Sequence, residues 1–195
     1  MQDYDGLKTA IADFLNRDDL TGTIPTFITL AEAQMQRDIR HWRMEQRKTT
    51  TFDEGFEELP VDWAETIRLQ ADDKPMELAS REEIARWRRS GATGRPRYFA
   101  HVAGNIELWP RPDGEYQGEL LYIARIPALT DADPVNWLLT EAPDAYLYGS
   151  LLQSAPYLVE DERTQVWGSL YGAAVQNLNQ ASDRARHSGP LRLRA

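Results

Sequence analysis

Lys48-Thr49-Thr50-Thr51-Phe52 and Ala64-Glu65-Thr66-Ile67-Arg68-Leu69-Gln70 mark where the chain changes its period. Threonine and β-branched residues, with Ile67 and Leu69 alternating against Thr66, Arg68 and Gln70, favour pleated strands. Upstream the period is helical. Tyr4, Leu7, Ile11, Phe14 and Leu15 share one face of a first helix, which Asn16-Arg17-Asp18-Asp19 and Gly22 close. Ile24, Phe27, Ile28, Ala31, Met35, Ile39 and Trp42 step by three and four along a second helix that begins after Thr23. Its Pro25 sits in the first turn, where the missing N–H is not needed.

Downstream, Asp72-Asp73-Lys74-Pro75 reads as a turn, and Ser80 with Glu83 forms a capping box opening a short helix through Arg89. After the Ser90–Gly94 loop, Tyr98 to Ala103, Ile106 to Leu108 and Gly118 to Arg125 read as a meander, with Gly104-Asn105 as its hairpin signal. Thr140 is the expected N-cap of a third long helix, with Pro143 just inside it, and 145–152 is apolar almost all round, so this helix should be central. Pro156 should kink or end it. Asp161 can then open a last helix carrying Trp167, Leu170, Tyr171, Ala174, Leu178 and Ala181 on one face and stopping near Arg186.

The expected fold is therefore α+β. N- and C-terminal helices, 1–45 and 136–187, form a four-helix bundle around a β-rich insertion, 46–135, with one short helix; 188–195 is a flexible C-terminal tail. Trp42, Tyr148, Leu152, Trp167 and Leu170 are the expected bundle core.

A 42% apolar fraction in 195 residues is enough to bury a core. The formal charge of −9 argues against a general nucleic-acid binder drawn in by its overall field. Without cysteine there are no disulfides and no Cys-ligated metal sites. The first fifteen residues mix charged with apolar positions and do not read as a signal peptide, and no apolar run is long enough to cross a bilayer.

Candidate chemistry is sparse. His41, His101 and His187 are far apart in sequence, with no ligand spacing beside them. The 91–96 loop lacks the Gly-Lys-Ser/Thr ending of a phosphate loop, and the 131–142 stretch has Asn136 and Ala142 where a calcium loop needs Gly and Glu. No cofactor is expected. Asp53, Glu54, Glu57, Glu58, Asp62 and Glu65 form an acidic stretch. Two of these carboxylates could in principle hydrolyse a glycan, but a solvated strand edge or a DNA-repelling ring lumen uses the same residues, and no enzyme activity is expected. Arg81, Arg86, Arg88, Arg89, Arg95 and Arg97 form the opposite cluster around Trp87. The tryptophan with its arginines could stack on single-stranded nucleic acid, or it could pack on the sheet while the arginines meet a protein. One interface would explain both clusters if the arginines met a neighbour's acidic stretch. Beyond Asp183 the chain carries Arg184, Arg186, Arg192 and Arg194 with Leu191 and Leu193 as apolar anchors. That tail is either disordered or ordered only on a partner.

Four stretches in order, Leu59-Pro60-Val61-Asp62-Trp63, 96–110 from Pro96-Arg97-Tyr98-Phe99 to Leu108-Trp109-Pro110, 122–129 and 136–149, together with Ala155-Pro156-Tyr157-Leu158, resemble the phage head-to-tail adaptor proteins of the tail tubular A type. The resemblance runs from about Tyr4 to Leu178. It implies a structural virion protein of the neck, made in the host cytoplasm and without membrane contact. Twelve copies would form a ring that joins the portal to the tail nozzle or neck protein and continues the channel for DNA ejection. By position, Arg184, Arg186, Leu191, Arg192, Leu193 and Arg194 would reach the portal. Arg81, Arg86, Arg88, Arg89, Asp53, Glu54, Glu57 and Glu58 would contact a neighbouring subunit or the tail protein. The alternatives are a neck or tail-completion protein that does not touch the portal, and a single-strand-binding module.

Overall fold

A computed structural model describes residues 1–158 and 162–187. The chain is mixed α+β, and among the described residues it has six α-helices and two sheets. It divides into two compact units, 1–42 with 126–195, and 43–125.

In the first unit α1, Tyr4–Leu15, starts where the Asp3 side chain accepts from Gly6 N and ends at Asn16, whose left-handed backbone returns an N–H to the Ala12 carbonyl. A 3-10 turn leads into α2, Ile24–Asp38. After the second unit come α4, Trp137–Glu141, and α5, Pro143–Gln153. The long α6 spans Arg163–His187. α5 is central as expected and packs against α1, α2, α4 and α6. Gly149 permits this closeness, because a Cβ there would lie 2.9 Å from the Met35 methyl and 3.2 Å from the Tyr171 ring.

Several expectations need correction. α2 ends at Asp38, so Trp42 leaves its stripe and is 43% exposed, with its backbone N–H donating to Ser182 Oγ at 2.8 Å. Leu170 is 39% exposed; Trp167 and Tyr171 turn inward in its place. Tyr148 and Leu152 are half-buried, while Tyr146 and Leu151 are the large side chains of α5 that are fully buried. An apolar stretch all round does not reveal which side faces the neighbours, and here the register lies one or two residues off the expected one. Phe14 also points outward. Asn136, not Thr140, makes the cap, accepting from Leu139 N at 2.8 Å, and Ala142 breaks the expected single helix in two.

A buried polar network seats the returning chain on α2. Asn136 Nδ2 donates to the Pro127 carbonyl and to the Tyr146 hydroxyl, both at 2.6 Å. Tyr146 donates to Glu32 Oε1 at 3.1 Å, and the same oxygen accepts from Leu129 N at 2.8 Å. Ile126 N donates to Gln36 Oε1 at 2.7 Å. Each partner satisfies a group that burial would otherwise leave without water.

The second unit holds the strands β1, Glu45–Phe52; β2, Phe56–Glu58; β3, Trp63–Ala71; β4, Lys74–Pro75; β5, Glu77–Leu78; β6, Tyr98–Val102; β7, Asn105–Trp109; and β8, Tyr116–Ala124. One sheet runs β1-β8-β3-β4 and is antiparallel; the other runs β2-β7-β6-β5, with β5 parallel to β6. A shared cluster that includes Phe52, Leu69, Leu120 and Tyr122 of the first sheet and Phe99, Ile106 and Leu108 of the second forms the core. The expected meander is therefore broken, since β8 crosses to pair with β1 and β3. The hairpin joining β6 to β7 turns at Ala103 and Gly104, not Gly104 and Asn105. Both have positive φ, 48° and 82°, as a two-residue primed turn demands.

Ile67 and Leu69 do not share a face either. A register shift between Thr66 and Arg68 inserts an extra residue, leaving Ile67 outside and Leu69 buried. The capping box is present as expected: Ser80 Oγ accepts from Glu83 N at 3.2 Å, and Glu83 Oε2 accepts from Ser80 N at 2.9 Å, opening α3, Arg81–Arg88.

Candidate interaction surfaces

The capping box fixes where the arginines go. These hydrogen bonds hold the Glu83 carboxyl below its ordinary range, so α3 starts on a charged cap at neutral pH. Ile84 is buried with Ala100 and Trp109, and Trp87 packs against that cluster with its ring 4.8 Å from Tyr98. That ring is engaged in packing, the second of the two readings open for Trp87. Arg81, Arg86 and Arg89 are exposed, as is Arg97, while Arg95 Nη1 donates to the Ala71 carbonyl at 3.2 Å.

Arg88 stands apart. Its guanidinium pairs with Glu107, a buried carboxylate on β7, and lies 5.8 Å from the Phe56 ring centroid. Glu54, Gly55, Phe56, Arg88, Leu108, Trp109 and Arg111 line a shallow groove of about 290 Å³. Glu54 of the acidic stretch and Arg88 of the arginine cluster thus line one groove, while the ion pair of Arg88 runs to Glu107, outside the acidic stretch. Glu57 is likewise engaged, with Lys48 Nζ at 2.8 Å. Asp62 accepts from the Tyr122 hydroxyl at 3.1 Å, and burial with that bond pushes the phenol's pKa up. Asp53, Glu54 and Glu58 are exposed.

In the helical unit, Arg184 and Arg186 are exposed on the last turns of α6; Arg184 Nε donates to the Gln180 carbonyl at 3.3 Å and Arg186 lies 3.7 Å from Asp183. Leu191, Arg192, Leu193 and Arg194 lie outside the described residues, as does Asp161, the expected start of the last helix. His41 is buried and stacked on Trp137 at 5.1 Å. His101 lies 5.0 Å from Trp63 and edge-on to Phe99, where burial lowers its pKa. Among the described residues no group of three His, Cys, Asp or Glu side chains could hold a metal ion, and no helix is long and apolar enough to cross a membrane.

The expected residues miss an apolar groove in the helical unit. Phe14, Tyr148, Arg163, Val166, Trp167 and Leu170 line it, with Phe14 47% and Val166 57% exposed. Arg163 Nη1 donates to the Phe14 carbonyl at 3.1 Å and its guanidinium lies 5.1 Å from the Trp167 ring centroid. The signal was present in the sequence, since Phe14 and Leu170 sit at the margins of their helical stripes, but periodicity alone assigned both to the core.

Charged clusters on one unit and an apolar groove on the other are features of a protein that works through its surfaces. The family model described as SU10 adaptor protein matches residues 2–194, and the chain belongs to that family of phage structural adaptors, components of the virion. No curated protein matches it.

Proposed function

We propose that the protein is a head-to-tail adaptor of the tail tubular A type, a dodecameric ring in the phage neck that joins the portal to the tail nozzle or neck protein and continues the DNA channel. The observation that carries this is the adaptor family match along nearly the entire chain. The order of sequence stretches from Leu59 to Leu158 supports it. In this reading the helical unit is a four-helix bundle of α1, α2, α5 and α6 bearing a β-rich insertion, and the protein catalyses no reaction.

The portal contact is the C-terminal segment, with Arg184, Arg186, Arg192 and Arg194 forming charge-assisted bonds to portal carboxylates while Leu191 and Leu193 fill apolar grooves. Contacts to a neighbouring subunit or the tail protein fall to Arg81, Arg86 and Arg89 and to Asp53, Glu54 and Glu58, because Arg88 and Glu57 already pair within the chain. Symmetry multiplies weak contacts: twelve tethered ones hold far better than one, provided that geometry lets them engage together.

The test is deletion after Asp183. Circular dichroism and melting should hardly change, since Arg184, Ala185 and Arg186 are exposed. Co-sedimentation with the portal ring of the same phage, and particle infectivity, should fall sharply. A truncated chain that binds portal as well as the full one would refute the tail's role. Failure of the full chain to bind portal at all would favour a neck or tail-completion protein.

A further inference from the structure

The nineteen residues 164–182 of α6 contain no Asp, Glu, Lys or Arg, in a chain that is 27% charged. Only one side of this helix is used internally: Trp167, Tyr171, Ala174, Leu178 and Ser182 are buried, and the opposite side is open to solvent. That open side presents Val166, Ser169, Leu170, Gly172, Ala173 and Gln176. The exposed faces of α1 and α3 are charged, with Asp5 and Asp13 on the first and Arg81, Arg86 and Arg88 on the second. Gly172 adds a separate observation. A glycine weakens an exposed helix interior, and a Cβ there would meet nothing within 4 Å, so the chain's own packing does not call for it. A glycine in open space on a helix lets another backbone come close.

A second neutral face lies on α2. Between Asp19 and Arg37 the only charged residue is Glu32, which is turned into the buried network, and the exposed side presents Thr26, Thr29, Leu30 and Ala33. Leu30 is 47% exposed, an apolar projection of the kind that the groove at Phe14, Val166 and Leu170 would accept.

We infer that the outer face of α6, with the adjoining groove, docks against the outer face of α2 in the next copy of the same chain. Charge decides the occupant. Each copy carries −9, so two copies meet with least repulsion where neither presents an acidic group; Arg163, the charged residue lining the groove, donates to the Phe14 carbonyl. A nucleic acid would find no cation along these nineteen residues to neutralise a phosphate, which removes the main source of its affinity. Two different faces on one unit make a heterologous, head-to-tail contact, the kind that propagates into a ring rather than stopping at a dimer. Size sets its strength. The α6 face is about 27 Å long and roughly 10 Å wide, well below the ~800 Å² per partner of a standard stable interface. The contact is therefore weak between two free copies and firm once a ring closes.

This inference rests on the ring reading above, and the test separates the two. The chain has no cysteine, so the full-length double variant Ala33→Cys/Ala173→Cys carries the only thiols. Oxidised at high concentration, it should give a ladder of covalent oligomers, whereas Ala33→Cys or Ala173→Cys alone should give no species beyond a dimer. Adding Gly172→Glu should cut the ladder roughly tenfold by placing an unpaired carboxylate and a bulky side chain in the contact. It should not lower the melting temperature, because glutamate is the better helix former. Absence of a ladder, or dimerisation of Ala173→Cys alone as efficient as cross-linking of the pair, would overturn the inference. Rings in electron micrographs without a ladder would leave the ring reading standing and move its contact elsewhere. A ladder whose products never close would keep the contact and count against the ring.

Discussion

Replacing Tyr146 by phenylalanine tests whether the buried network holds the helical unit together. The hydroxyl donates to Glu32 Oε1 at 3.1 Å and accepts from Asn136 Nδ2 at 2.6 Å. Asn136 keeps its bond to the Pro127 carbonyl and Glu32 keeps the Leu129 N–H, although the second Asn136 amide proton loses its acceptor. What is lost is chiefly a hydrogen bond to a carboxylate in a half-buried site, about 2–3 kcal/mol. The helical unit should melt roughly 5–15 °C lower, followed by circular dichroism. In a Glu32→Gln background the acceptor is neutral and the same substitution should cost only about 1 kcal/mol, a coupling of about 1 kcal/mol or more. Burial raises the Glu32 carboxyl above its ordinary 4.5. The folded chain therefore keeps this proton to higher pH than the unfolded chain does, and this group's contribution to stability falls as pH rises from 4.5 through the raised value, then levels off. Glu32→Gln should remove that slope. If Tyr146→Phe melts within about 0.5 kcal/mol of the parent, or costs as much in the Glu32→Gln background as in the parent, the network does not work as argued.

Two packing predictions follow from the same structure. Leu151→Ala should cost about 2–5 kcal/mol by lost transfer and cavity terms, and Leu152→Ala clearly less, because Leu151 is fully buried and Leu152 only half so; equal melting points would put the α5 register wrong. Gly118→Ala should destabilise the β-rich unit by about 1–3 kcal/mol, since the new Cβ would lie 2.6 Å from the buried Phe52 ring. Phe52→Leu should recover part of that loss, and no recovery would place the strain elsewhere.

Where sequence reading succeeded, a local rule and the tertiary context agreed. Ser80 and Glu83 sit at capping-box spacing, and nothing distant competes for them, so α3 begins where the residues say. The change to strand near Lys48 was visible for the same reason, and the return to helix was read at Thr140, a few residues past its cap at Asn136. Failures occur where a distant partner decides. Trp42 continued the α2 stripe by count, yet Asp38 receives the Tyr171 hydroxyl at 2.9 Å and its carbonyl accepts from Asn179 Nδ2 at 3.0 Å, and the helix stops there. β8 was read as the third strand of a meander because it follows β7, but its partners lie about fifty and seventy residues upstream, where alternation carries no pairing information.

The candidate surfaces divide along the same line. Clusters of charge stand out in a sequence, so the arginines around Trp87 and the acids after Phe52 were found, although the partners that two of them take within the chain, Glu107 for Arg88 and Lys48 for Glu57, were not. The α6 face escaped notice because periodicity weighs only the apolar residues that turn inward. A run of Ser, Gly, Ala, Gln and Asn reads as an ordinary wet side, and what sets it apart is the charge it lacks. Only burial shows that these residues stay outside after folding, and only then does a neutral stretch of this length on a chain of −9 call for a partner. A copy of the same acidic chain gains from such a surface, because the net negative charge that it carries meets no acidic group there.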